Sequence, residues 1–558
     1  MTISSIIRQN AYCLLFLDFL TFKLSWRYFP LPPCKKVVTF SLFILQFAFL
    51  AHSISPGFAQ SPNPPAQAPQ NNFDKDMSMS VISTALTFLE PRTIDEHTIS
   101  KFSLWGLNGL NAIDPSFSVK VNKDQDKNAN TIQLLQTQNV IFSTLKPSDN
   151  DIKSWTSVIV DMWAAAWNHS AALRNATNQG IIQNFFDELF DHMDPYSRYI
   201  GPSSANHDRT IREGGKADIG ISLVKQGKFI VVNSINTNGP AWAAGIVIGQ
   251  HLSKVDGKTT QGQSIETVRD WLKGDEGSTV KLSLITPKTR KATTLSLTRI
   301  SVPPETVTAF TSGNILILKI VFFSSNTAEE ISQYIDQAMY DLKLSGLILD
   351  VRGNRGGVLQ QAITSVALLL DQGVAATTYG RDPQANHTWA VQGGDLTKGL
   401  PIIILVDGRT ASAAEILAAA LADHKRAVVV GSSTLGKGLV QTIAQLPDGG
   451  ELFVTWSRVI APLNWPLQGL GVMPQICTSM GQSNLQKQLL ELKNNQSSYA
   501  ISVANARKAR YPLSSKDILN IRNACPAALG TDIDIRIAHD ILKNPDIYKA
   551  ALSLIPDE

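Results

Sequence analysis

Charge is scarce in this chain. Asp, Glu, Lys and Arg make up 17% of its 558 residues, against 44% hydrophobic residues. That balance excludes a disordered polyelectrolyte and supplies apolar material for several cores. The length implies two to four domains. The net charge of +4 is confined to residues 1–59, where Arg8, Lys23, Arg27, Lys35 and Lys36 face only Asp18. Residues 60–558 carry 45 charges of each sign. A neutral body lacks the basic footprint of a nucleic-acid binder, so no nucleic-acid partner is expected. Cysteine is sparse too, and four thiols cannot build a disulfide-dense scaffold. Nine histidines contain no His-Glu-x-x-His or paired metal spacing, so neither metal nor cofactor is expected. A Gly-x-Ser-x-Gly elbow is also missing.

What is present begins with a short greasy run. Lys35-Lys36 precede the 15 residues Val37–Ala51, and the small-residue exit Gly57-Phe-Ala-Gln60 follows. Charge, apolar core and small exit form a signal-peptide layout, and the run is shorter than the roughly 20 residues of a membrane span. Cleavage after Ala59 and export to the periplasm are expected. The rival is an uncleaved anchor, which would tie the chain to the inner membrane. Residues 1–34 suggest an over-extended start, with initiation near Leu31. Ser61–Gln70, rich in proline, reads as an extended linker. Export leaves Cys477 and Cys525, which would either pair or stay two separate buried thiols.

The mature chain reads as a multidomain α/β protein. The expected division is a signal segment at 1–59, a linker at 60–72, a helical N-terminal domain at 73–205, a β module at 207–303, an α/β core at 304–480 and a helical tail at 481–558. Helical spacing marks Ser80–Leu89, Ile99–Leu110 and Trp155–Leu173. Asp114-Pro115 and Asp194-Pro195 each end a helical stretch, a weak internal echo. Strands are expected at Ile219–Val224, Phe229–Ile235, Thr279–Ile285 and Thr293–Ile300, with one helix at Ser264–Lys273. Strands and helices then alternate: Ile315–Phe323, Thr327–Leu344 with Thr327 as its cap, Leu347–Val351, Leu359–Leu370, Pro401–Val406, Ser412–Ala422 and Ala427–Val430.

The sharpest candidate site lies in Asp407-Gly-Arg-Thr-Ala-Ser412-Ala-Ala-Glu-Ile416. A buried strand turns straight into a helix, which puts Ser412 where free N–H groups favour a developing oxyanion. Taken alone, an N-cap serine is the simpler reading. A nucleophile needs a base. His424 lies about three turns along the same helix and would point away. Lys437, between Gly436 and Gly438 and among apolar residues, is a candidate for desolvation and a lowered pKa. A solvated loop lysine is the plain alternative. Gly356, Gly357 and the N–H of Ala413 are the expected oxyanion donors.

These motifs together resemble the carboxyl-terminal processing peptidases, or tail-specific proteases, from about Asp194 to Gln475. Asp194-Pro-Tyr-Ser197 is similar to the family's Asp-Pro-His-Ser. Gly239-Pro-Ala-Trp-Ala-Ala-Gly245 resembles its PDZ motif. Leu349–Gly357, Thr410–Ile416 and Gly436–Gln441 resemble its oxyanion, nucleophile and base motifs in order. The resemblance implies a PDZ domain and a crotonase-like α/β serine-peptidase core. It also implies Ser412 as nucleophile, Lys437 as base and Gln441 as the residue that holds the lysine. Asp423 falls where some members carry an important aspartate, though helix-end structure explains it equally well. A PDZ sheet edge would bind protein or peptide substrates by their free C-termini, with Ile219-Gly220-Ile221 as the carboxylate loop and an apolar tail preferred. The departures are Arg355 in Asn354-Arg-Gly-Gly, Leu463-Asn464 after Pro462, and Gln475 after Pro474. They bear on substrate preference more than on the reaction. The sequence is compatible with a homo-oligomer.

Three rival readings fare worse. Gly431–Gly438 nearly spells a P-loop, but Gly438 offers no hydroxyl to a metal, and Leu439–Ile443 reads as a hairpin strand. Ser143-Thr-Leu-Lys146 matches Ser-x-x-Lys without the Lys-Thr-Gly that should accompany it. A catalytically weak or inactive PDZ scaffold is the serious alternative.

Overall fold

The computed structural model describes residues 72–123, 130–213 and 217–557. The signal segment, the early start and the linker up to residue 71 lie outside the described residues. Among the described residues no helix is long and apolar enough to cross a membrane.

Helix Lys75–Arg92 opens on an Asp74 cap, whose side chain accepts from Met77 N, and buries Val81, Ile82, Ala85, Leu86 and Leu89 at helical spacing. Ile99–Leu107, Ile152–His169 and Ala171–Asp191 complete the bundle around Phe102, Trp155, Trp163, Phe185 and Phe186. The run read across Trp155–Leu173 is broken at Ser170. Its hydroxyl accepts from Leu173 N at 3.3 Å, capping the second helix, and donates to Asp114 at 2.6 Å. A further correction is the antiparallel sheet of Phe117–Lys123, Asn130–Gln136 and Asn139–Leu145, in a stretch expected to be helical. Ile132 and Leu134 are buried while Thr131 and Gln133 are half-exposed, an alternation of period two that the helical reading passed over. Ser143 and Leu145 lie in this sheet, so the Ser-x-x-Lys match is not on a helix.

The second cluster is a twisted sheet in the order Lys291–Thr298, Thr279–Thr286, His251–Val255, Phe229–Ile235, Ile221–Gln226. Ile221–Gln226 is therefore an edge strand. Ser264 caps helix Ile265–Leu272, which turns Val268 and Leu272 onto the sheet beside Ile219 and Leu223. His251–Val255 escaped the sequence reading because Leu252 and Val255 are its buried residues. Asn238 ties this module to the next. It donates to Glu330 at 2.7 Å and accepts from Asn326 at 2.6 Å, while Glu330 also accepts from the N–H groups of Thr306 and Val307.

The α/β core carries a sheet in the order Val307–Ser312, Ile315–Ile320, Gly346–Asp350, Ile402–Val406, Ala427–Gly431, Ile476–Cys477. The first pair is an antiparallel hairpin and the others run parallel. Ile402–Val406 is buried at every position, as a central parallel strand covered on both faces requires. Helix Ala413–Asp423 is also buried along its whole length, and its alanines let it lie close to its neighbours. Helix Thr327–Asp341 is preceded by Asn326, so Thr327 is its first residue and not its cap. Thr327 instead accepts from Ser324 N at 2.9 Å. A second sheet, His387–Val391, Gly373–Gly380, Glu451–Ile460 and Leu439–Gln445, was only partly anticipated, and Arg198–Ile200 pairs with it from the N-terminal region.

The tail folds back as helices over the core. Cys477 and Cys525 form a disulfide across 48 residues, which resolves the two alternatives left by the sequence. Asp423 and Arg507, both fully buried, form an ion pair at 3.0 Å. Asp423 also accepts from Trp465 Nε1 at 2.7 Å, and the Arg507 guanidinium lies over the Trp465 ring. Asp423 is thus a helix-end anchor for the tail, away from Ser412. Removing one partner strands a buried charge. Asp423→Ala is expected to lower the unfolding free energy by about 3–5 kcal/mol in a denaturant titration. A loss below about 1 kcal/mol would contradict the anchoring role.

Candidate active site

The strand Ile402–Val406 delivers Asp407 to a tight turn. Its Oδ1 accepts from the N–H groups of Gly353, Arg409 and Thr410 at 2.9–3.0 Å. Burial pushes the Asp407 carboxyl up, but the donors from Gly353, Gly530, Arg409 and Thr410 outweigh it and hold the group below its ordinary value. The turn is braced from the tail, where Gly408 N donates to Ala528 O at 2.7 Å. Thr410 Oγ1 reaches Val351 O, and Ala411 N reaches Asn354 O, both at 2.9 Å. The next residue, Ser412, has φ +56° and ψ −123°, a conformation that costs a non-glycine residue free energy and persists only where neighbours enforce it. Helix Ala413–Asp423 starts immediately after it.

The enforcing neighbour is Glu415, a residue the sequence reading did not single out. Its carboxyl is fully buried and accepts four hydrogen bonds. Oε2 receives Ser412 N at 2.8 Å and Lys437 N at 2.9 Å. Oε1 receives Gly436 N at 2.7 Å and the Thr434 hydroxyl. Two loops far apart in sequence therefore share a single oxygen. Burial holds the Glu415 carboxyl above its ordinary value, and the donors from Thr434, Gly436, Ser412 and Lys437 offset only part of that push.

Lys437 follows Gly436, whose φ is +85° and whose absent Cβ would meet Gly469 at 3.0 Å. The half-buried lysine donates from Nζ to Gln441 Oε1 at 3.2 Å and lies 4.8 Å over the Tyr196 ring. Gln441 Nε2 in turn donates to Tyr196 O at 2.7 Å, which orients the amide. Burial pushes the ammonium pKa down and the Arg198 charge adds to the effect, against smaller upward pulls from Asp194 and Glu415. The Ser412 side chain forms a capping box with Glu415 at the start of the helix, and Lys437 Nζ donates to Gln441 and not to Ser412. His424 faces away and contacts Val374 O.

Tyr196 is the second residue missed as a site contributor. The motif around it is read from sequence as a helix end and as similar to the family's Asp-Pro-His-Ser, with no role assigned to Tyr196. Asp194 Oδ1 accepts from Tyr196 N, Ser197 N and Thr455 Oγ1, and Ser197 Oγ accepts from Thr455 N. The turn is thereby fixed to Glu451–Ile460, next to the strand that carries Gln441.

The three expected oxyanion donors do not behave alike. Gly356 N donates to the buried Asn354 Oδ1 at 2.8 Å, so this N–H is not free for a substrate oxygen. Gly356 instead allows close approach, since a Cβ there would come within 2.7 Å of Ser412 Cβ. The N–H groups of Gly357 and Ala413 hold no hydrogen bond among the described residues. Gly357 has φ +137°, and a Cβ on it would strike Phe323 O at 2.1 Å. Arg355 is exposed at the rim. Ile219-Gly220-Ile221 lies far along the chain from this site, at the start of the edge strand of the β module. The P-loop reading fails, because Lys437 leads into the strand Leu439–Gln445 and not into a helix.

Comparison with known proteins agrees with this architecture. The peptidase family S41 model matches residues 314–478, and a PDZ domain model matches residues 231–285. A carboxy-terminal-processing protease of Bartonella bacilliformis is 32% identical over 302 residues, covering 54% of this chain and 70% of that protein. The carboxy-terminal processing protease CtpA of Bacillus subtilis is 33% identical over 302 residues, covering 53% and 63%. Among solved structures, a photosystem II D1 C-terminal processing protease is 26% identical and covers 67% of this chain and 92% of that one, with a TM-score of 0.34. With its PDZ module and S41 core, the chain belongs to the carboxy-terminal processing protease family of serine peptidases.

Proposed function

We propose that this chain is an exported endopeptidase that cleaves proteins near their C-termini with a Ser412–Lys437 dyad, and that its PDZ edge strand recruits apolar tails. The carrying observation is the Glu415 oxygen shared by Ser412 N and Lys437 N, which keeps nucleophile and base on adjoining backbones. A lysine stem is long enough to span two backbones that share one oxygen, which supports the pairing, and in this structure its Nζ donates to Gln441. Export draws support from the Lys35–Ala51 layout and from the Cys477–Cys525 disulfide, which suits an oxidising compartment.

In the proposed mechanism neutral Lys437 takes the Ser412 proton as Oγ attacks the peptide carbonyl. The oxyanion is received by the N–H groups of Gly357 and Ala413 at the helix start. The tetrahedral intermediate collapses, the leaving amine takes the proton from Lys437, and an ester on Ser412 remains. Water, deprotonated by Lys437, then attacks the ester; the bond to Ser412 Oγ breaks, Lys437 returns the proton to that oxygen, and the new C-terminus is released.

The inactive-scaffold reading draws on one observation, the Lys437 Nζ bond to Gln441 in place of one to Ser412. Digestion of an unfolded protein separates the two. The native chain should digest it, and Ser412→Ala and Lys437→Ala should each lose about 10³-fold or more in kcat/KM. No digestion by any of the three would favour the scaffold, and equal digestion would remove both residues from the chemistry.

A lysine must be neutral to act, and its pKa here is lowered. The rate should therefore rise with pH through that lowered value and level off above it, in a kcat/KM profile from about pH 5 to 9. A flat profile would contradict the assignment.

Glu415→Gln replaces an acceptor-only group with an amide, whose NH₂ must face two donors. A loss of about 1–3 kcal/mol in stability is expected, with a fall in kcat at least as large as that in kcat/KM. Native kcat in this variant would show that the shared carboxylate is dispensable.

A further inference from the structure

A groove of about 230 Å³ lies between the edge strand Ile221–Gln226 and helix Ile265–Leu272. Ile219 and Leu272 give it an apolar floor, and Arg269 and Lys273 stand exposed on its helical wall. The loop at its end carries an acid. Asp218 lines the groove, and its Oδ1 accepts from Gly220 N at 2.7 Å. Gly220 N–H is one of the groups expected to hold a substrate's terminal carboxylate, on the reading that this groove recruits tails. Here it is held by a carboxylate of the chain itself.

The surroundings leave only the Asp218 side chain free to give way. Its backbone is paired on both sides with Ile300, with N–H to O distances of 3.0 Å in each direction. Gly220 has φ +75°, and a Cβ there would meet Gly239 Cα at 2.9 Å, so the loop has little room to shift. Burial pushes the Asp218 carboxyl above its ordinary value, and the Gly220 N–H and the Lys273 charge offset only part of that push; Lys273 also lies 3.9 Å from Asp270.

We infer that Asp218 is a specificity-determining residue, a built-in competitor for the terminal carboxylate of substrates. An incoming C-terminus meets a like charge and an occupied N–H, and binds by turning Asp218 out toward Lys273. The free carboxylate therefore contributes little net affinity, and the apolar floor and the edge strand do most of the selecting.

The inference rests on the tail-recruitment reading, and the test separates the two. Two fluorescent peptides of one apolar sequence, one a free acid and one a C-terminal amide, are titrated onto the full chain carrying Ser412→Ala. With native Asp218 the two affinities should agree within about threefold. Adding Asp218→Ala should tighten the free acid by about tenfold and leave the amide little changed, and Asp218→Asn should fall between. Equal weakening of both peptides by Asp218→Ala, or a free acid preferred about tenfold by the native chain and not improved by the variant, would overturn the inference and leave tail recruitment standing. Failure of both peptides to bind any of the chains would overturn tail recruitment and the inference with it.

Discussion

One buried carboxylate ties together the two loops that carry Ser412 and Lys437. Glu415 receives four donors from two loops, Ser412 N and Lys437 N on one oxygen and Gly436 N and Thr434 on the other. A charge without solvent is costly unless every lone pair is met, and here each is met by a group the site needs in place. The same bonds hold Ser412 in a backbone conformation that it would not keep alone. Stability and geometry are thus the same interaction, and neither loop can relax without exposing an unpaired acceptor.

Around that centre three regions converge. The Asp194–Ser197 turn of the N-terminal region places the Tyr196 ring over Lys437 and its carbonyl against Gln441. The tail sends Ala528 to Gly408 N and to Ser432, bracing the nucleophile turn and the start of the lysine loop together. Asn238 and Glu330 fasten the PDZ module beside the segment whose Phe323 bonds Gly356 O. Residues distant in sequence and modest in chemistry therefore hold the loops that carry the proposed dyad.

Much of this was legible before any coordinates. Uninterrupted apolar runs such as Ile402–Val406 mark central strands unmistakably, and the loops that follow them, carrying Ser412 and Lys437, inherit a position at the C-terminal ends of the strands. Glu415 was illegible because an acid in a first helical turn is the ordinary partner of the helix dipole, and nothing local tells that use from this one. Gly356 was misread because the sequence cannot show that Asn354 would claim its N–H. The sheet Phe117–Leu145 was overlooked because its two-residue alternation is short, half-polar and flanked by long helices. The fate of Cys477 and Cys525 depended on a tail path that no periodicity encodes.

The most direct measurement is a rapid acid quench during the first turnover, followed by peptide mass spectrometry. The account predicts a transient ester on Ser412 that forms faster as pH rises and is absent when Lys437 is replaced by alanine. Cleavage that proceeds with no ester on Ser412, or with a covalent adduct elsewhere, would contradict it.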